Sequence, residues 1–149
     1  MLLSWSVAAL HLLALGIGLP AVWMRGRTLR EALDPATLRR AFVFDNLWGV
    51  AAAMWLMTGL WRAFGGLEKG SSYYLSSTAF WVKMGLLGLV LVLEIWPMVT
   101  LIRWRLRLGR GVAVDTTPAR AIATISVVQT ALIVLMVLAA TAMARGLWS

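Results

Sequence analysis

The chain predicts an all-α membrane protein, a four-transmembrane-helix bundle with a short amphipathic cytoplasmic connector. Three observations predict it. Hydrophobic residues make up 61% of the 149-residue chain, well above a soluble domain's share. The mean hydropathy is +0.83, and a soluble fold of this size has too little interior to hide so much apolar surface. The charged residues, only 13%, gather between long apolar stretches instead of dispersing over a surface. One transmembrane domain, residues 1–149, accounts for the whole chain.

A spanning helix needs about 20 consecutive, mostly apolar residues. Four stretches fit: residues 2–23, 47–64, 78–102 and 121–144. The second is the shortest and carries Arg62 near its end, where a long side chain can snorkel to the interface. The first lacks a basic leader and a small-residue cleavage site, so it reads as a retained span.

Orientation follows from the arginines. The first connection holds Arg25, Arg27, Arg30, Arg39 and Arg40; the third holds Arg103, Arg105, Arg107, Arg110 and Arg120. The middle connection holds only Lys69. Positively charged loops stay in the cytoplasm, so both termini and the middle connection are expected on the periplasmic side of a bacterial inner membrane. The net charge of +8 has the same origin, facing anionic lipid rather than nucleic acid.

The first connection carries local order. Thr28 and Glu31 have capping-box spacing, and Asp34-Pro35 reads as an N-cap followed by proline at the first helical position. Leu29, Leu33, Leu38 and Phe42 would then face lipid while arginines face phosphate. Glycine and serine punctuate the middle connection, residues 65–77. Tyr73, Tyr74, Trp81, Trp5, Trp61 and Trp148 suit an aromatic belt at the outer interface, and Trp23, Trp48, Trp96 and Trp104 one at the inner.

Ionisable and amide side chains inside a span are costly, so they mark candidate sites. At about 1.5 Å per residue, His11 falls near the midplane of the first span. On the same scale Lys83 lies about 10 Å outward and Glu94 about 6 Å inward. Gln129 and Trp55 share the level of Glu94; Met54, Met57 and Thr58 share that of His11. Lys83 and Glu94 return to within about 20° of one another on their helix, and Trp48, Trp55 and Arg62 recur every seven residues. Turning these faces inward gives one polar seam of His11, Lys83, Glu94 and Gln129. Pro97 frees the carbonyl of Leu93 beside Glu94. Gly85 with Gly88, and Ala140 with Ala144, are small-residue faces for close helix packing. With no cysteine and one histidine, no metal-site spacing is present. No phosphate loop or hydrolase triad is present either.

The segments Leu10-His11, Asp45-Asn46-Leu47-Trp48-Gly49, Thr58-Gly59-Leu60-Trp61-Arg62 and Glu94-Ile95-Trp96-Pro97 resemble those of an uncharacterised bacterial family of predicted four-span membrane proteins, a domain of unknown function. That resemblance covers nearly the whole chain and implies architecture alone. Leu10-His11 with Leu19-Pro20, and Trp81-Val82-Lys83-Met84-Gly85, are more distantly similar to the membrane-embedded, haem b-binding protoporphyrinogen oxidases. There a first-span histidine and a third-span lysine form the functional pair, which carries over to His11 and Lys83. The further histidine usual beside that lysine is absent, and Val82 stands there. Copper-resistance membrane proteins of the D type are loosely similar, but one histidine without cysteine argues against copper transport.

Three functions stay open from sequence. The first is a non-catalytic structural or accessory subunit, docking through its helices into a larger respiratory or photosynthetic complex or onto a second copy. Few catalytic groups favour it over an enzyme. The second is a haem b-binding four-helix bundle acting as a porphyrin oxidoreductase. His11 would be one axial ligand, Met54 or Met57 the other, and Arg62 or Lys83 the propionate partner. The third is a proton or solute transporter using Glu94, His11 and Lys83.

Overall fold

The computed structural model describes residues 1–66 and 71–146. Its described residues form four long helices and one short one. These are α1 (Leu2–Thr28), α2 (Pro35–Phe64), α3 (Ser71–Ser76), α4 (Thr78–Gly109) and α5 (Ala119–Ala144). All four long helices are long and apolar enough to cross a membrane. Their outer faces carry bare leucine, valine, isoleucine and tryptophan, as lipid contact requires. Lys69 and Trp148 lie outside the described residues, as do the side chains of Tyr73 and Tyr74.

The helices run further than hydropathy alone marks. The first continues through Met24–Thr28, because its last turns are buried inside the bundle and not in a connection. Thr28 is therefore helical, and the capping-box expectation does not hold; the chain instead turns at residues 29–34. Asp34 does cap α2, accepting a hydrogen bond from the Thr37 amide at 2.7 Å with Pro35 at the first helical position. From there α2 runs unbroken to Phe64, so the amphipathic connector is the first part of the second spanning helix. Leu29, Leu38 and Phe42 are buried against Leu101, Trp104 and Ile122, not turned to lipid. The arginines around them made that apolar stripe read as a membrane-surface face; its real partners are α4 and α5. Trp48 and Trp104 are core residues too, leaving Trp5, Trp61 and Trp81 exposed toward one end and Trp23 and Trp96 toward the other.

The helix α4 passes through a buried Pro97 and stops at Gly111, whose φ of 69° needs a residue without Cβ. The Val112 amide returns to the Arg107 carbonyl at 3.0 Å and Gly111 to Leu108 at 3.1 Å, satisfying the last carbonyls. In the bundle α1 packs on α2 and α5, and α4 packs on α5, while α2 and α4 meet little. Gly18 lets α1 approach Trp48 and Ala51 of α2, and Gly26 lets it approach Ala123 and Ser126 of α5. A Cβ at Gly85 or Gly88 would meet nothing within 4 Å, and both glycines are exposed.

Candidate functional site

The polar residues of the spans fall into two groups at opposite ends of the bundle. Arg25 and His11 are fourteen residues apart on α1, which separates the two levels by about 20 Å. The single seam expected from sequence is therefore two separate sites.

Arg25 organises the first, at the arginine-rich end. Its side chain is 0% exposed. Nη1 donates to Asp45 Oδ1 and to Glu94 Oε1, both at 2.8 Å. Nη2 donates to Glu94 Oε2 at 3.0 Å and Gln129 Oε1 at 2.8 Å, and Nε to Ser126 Oγ at 3.0 Å. A guanidinium has five N–H donors, and each has an acceptor here. The acceptors are equally committed. Gln129 Nε2 donates to Glu94 Oε2 at 2.8 Å and to the Val90 carbonyl at 3.2 Å, and Ser126 donates to the Ile122 carbonyl. Asp45 Oδ2 accepts from Arg105 Nη2 at 2.5 Å, and Arg105 also reaches Asn46 and lies over the Phe42 ring. Two cations and two anions from α1, α2 and α4, with the amide and hydroxyl of α5, make a charge-balanced cluster in which every donor of Arg25 is bonded and only the Arg105 Nε lacks a partner among the described residues. Such a cluster fastens helices together.

His11 organises the second. Its Nδ1 lies 2.9 Å from Thr58 Oγ1. The Thr58 hydroxyl also donates to the Met54 carbonyl at 2.7 Å, which fixes the pair against α2. Trp55 stacks on the imidazole with ring centroids 5.7 Å apart. Gly59 completes the seat, since a Cβ there would come within 3.1 Å of His11 Cε1.

Beside this histidine lies a cavity of about 480 Å³, within the ordinary range of ligand sites. All four long helices line it: His11 and Leu15, Trp55 and Arg62, Lys83 and Met84, Met136 and Thr141 among them. Its walls are mostly apolar, with one histidine and two cations. The Trp55 indole N–H is buried and has no hydrogen-bond partner among the described residues.

Met54 and Met57 share the level of His11 but not its side. They are 38% and 70% exposed, and neither lines the cavity. The helix presents Trp55, Thr58 and Gly59 to the histidine instead. Met84, Met136 and Met143 are the methionines of the cavity wall. Glu94 and Gln129 belong to the Arg25 cluster, whereas Lys83 and Arg62 join His11.

A family model described as "Predicted membrane protein (DUF2214)" matches residues 3–147. The chain belongs to that family. No curated protein and no solved structure matches it. Membership in DUF2214 bears out the four-span family resemblance read from sequence; the more distant likeness to haem-binding oxidases finds no counterpart. The residues this DUF2214 chain hid best were Arg25 and Asp45. Hydropathy put both just outside their spans, yet the helices carry them inside. The signal available was the need of Glu94 for a cation on a neighbouring helix at its own level.

Proposed function

We propose that the protein is a membrane-embedded binding protein whose cavity takes a largely apolar ligand bearing acidic groups, with haem b or a related porphyrin as the class that suits its histidine and two cations. The observation that carries this reading is the convergence of His11, Arg62 and Lys83 on one apolar cavity. The seat of His11 fits axial ligation. Its Nδ1 is hydrogen-bonded to Thr58, the kind of second contact that orients a metal-binding imidazole. Arg62 and Lys83 suit propionates. Met54 and Met57 do not fit as second ligand, because they turn away from the cavity. Haem, when bound, supplies one-electron chemistry tuned by its axial ligand and pocket polarity.

The charge asymmetry supports the arginine-rich end facing the cytoplasm, which sets the cavity in the outer half of an inner membrane with both termini periplasmic. The deciding experiment is the absorption spectrum of protein purified from haem-replete membranes. A Soret band is expected, lost in His11→Ala. Replacing Arg62 or Lys83 with glutamine should weaken haem binding about tenfold each, the effect of losing one charge-assisted contact. A colourless preparation that does not take up added haem sinks the reading, as does a band unchanged in His11→Ala.

A second reading, an accessory subunit of a larger membrane complex, draws support from Gly85 and Gly88. They bare the backbone of α4 on a face no helix of this bundle covers. Co-purification of a partner in mild detergent, lost in Gly85→Leu/Gly88→Leu, is its expected outcome. Transport loses support, since it needs Glu94 beside His11 and Lys83, and Glu94 is bonded to Arg25 in the other cluster.

A further inference from the structure

Three sides of the bundle are closed by helix packing, and the α2–α4 side is the loose one. Among the described residues its side-chain links lie near the two ends and at mid-depth, where Trp48 and Trp55 of α2 share a core with Val90 of α4. At the arginine-rich end Arg105 of α4 holds Asp45 and Asn46 of α2, and Leu101 and Trp104 share a core with Leu38 and Phe42. At the opposite end Phe64 and Phe80 meet edge to face with centroids 6.3 Å apart. Beyond that pair the short α3 touches both helices, tied to α4 by the Trp81 indole donating to the Leu75 carbonyl. The cavity lies between the level of Trp55 and Val90 and the Phe64–Phe80 pair. Leu60 on α2 and Met84 on α4 belong to its lining, and Leu60 is 45% exposed.

A gap between two spanning helices at this depth faces acyl chains. Arg62 and Lys83 stand on α2 and α4, one from each side of the gap. Both lie near the helix ends, Arg62 two residues before the end of α2 and Lys83 five residues after the start of α4. An amphipathic acid moving sideways from the adjacent leaflet would keep its charged end at the level of these cations throughout. Its apolar part would lead toward His11, without a charged group crossing the bilayer centre, where burial is most costly.

We infer that the cavity is loaded laterally, from the leaflet at its own end, through the gap between α2 and α4, with the acidic end of the ligand trailing at Arg62 and Lys83. This deepens the proposed binding function and rests on it. The chain has no cysteine, so introduced thiols report cleanly. In Leu60→Cys/Met84→Cys, a short bifunctional thiol reagent bridges the gap. Linked before haem is added, the variant should take haem up at least tenfold more slowly than the same variant unlinked; linked afterwards, it should release haem as much more slowly. Rates unchanged by the link overturn lateral loading.

A second measurement needs no haem. A nitroxide on Met84→Cys in liposomes should collide with dissolved oxygen in preference to a water-soluble nickel chelate. Preference for the chelate means the cavity opens to water, and overturns the route. Should unlinked protein bind no haem, the proposed ligand class fails, while the nitroxide still decides where the cavity opens.

Discussion

Arg25 is a single side chain on which three other helices depend. Its removal in Arg25→Ala would leave Glu94 buried without its cation and Asp45 with Arg105 alone. Breaking a buried ion pair from one side costs about 3–5 kcal/mol, and that loss is expected in denaturant unfolding of the detergent-solubilised protein. Arg25→Lys should recover only part of it, because an ammonium cannot reproduce the two-pronged contact with Glu94. If Arg25→Ala unfolds with an unchanged midpoint, the cluster is not what holds the helices. At the other site, Gly59→Ala pushes a methyl group against His11, an overpacking expected to cost about 1–3 kcal/mol. It should also displace the imidazole, so haem binding should fall more than in Gly49→Ala, where the space around the glycine is open.

Asp34 gives the residue scale its pH dependence. The Thr37 amide and hydroxyl hold its carboxyl below the ordinary value of 3.8. A depressed folded value means the cap contributes fully above the unfolded pKa and is lost as pH falls through the lower, folded one. The first turn of α2 should therefore keep its amide protection at pH 5 and lose it only below the usual carboxylate range. Hydrogen exchange at Thr37 measures this, and Asp34→Asn should flatten the profile.

At the scale of elements, the four helices were plain in the sequence because length and hydropathy suffice to mark a membrane span. Their ends were not. Residues 35–46 carry both arginines and an apolar stripe, a pattern that suits a helix lying on the membrane and equally the buried root of a spanning one. Only the presence of Leu101, Trp104 and Ile122 opposite Leu38 and Phe42 decides it. Leu38→Ala should accordingly destabilise the protein by about 2–5 kcal/mol, as core truncations do, whereas a lipid-facing leucine would cost little. The site shows the same division. His11, Arg62 and Lys83 could be picked out by type, since polar groups in a span need a reason. Met54 and Met57 could not be rejected, because helix depth fixes a residue's level but not its azimuth. Arg25 was hidden by an apparent helix end five residues early.

On the scale of the whole molecule, the bundle is asymmetric from end to end. One end is tied by charges and a buried apolar core; the other encloses an open volume. The proposed sense of insertion, with the arginine-rich end in the cytoplasm, is open to a direct test. An alkaline phosphatase fused after residue 149 should be active and a fluorescent protein fused there dark. Moving the net positive charge to residues 65–77 should weaken that preference. The reverse fusion pattern would turn the cavity toward the cytoplasm and leave its lining unchanged.

The Arg25 cluster also bears on how such a chain is assembled. Cut at the middle connection, each half carries one cation and one anion of the cluster: Arg25 with Asp45 in the first, Glu94 with Arg105 in the second. Arg25 and Asp45 already touch within the first pair of helices. A newly made first hairpin can therefore enter the bilayer with its charges matched, and wait there for a second whose Glu94 and Arg105, about 16 Å apart along one helix, have no such match. When the two meet, Glu94 gains Arg25 and Asp45 gains Arg105. The exchange rewards only the correct pairing of halves, so the same four charges that fasten the finished bundle would act earlier as the means by which its halves find their register.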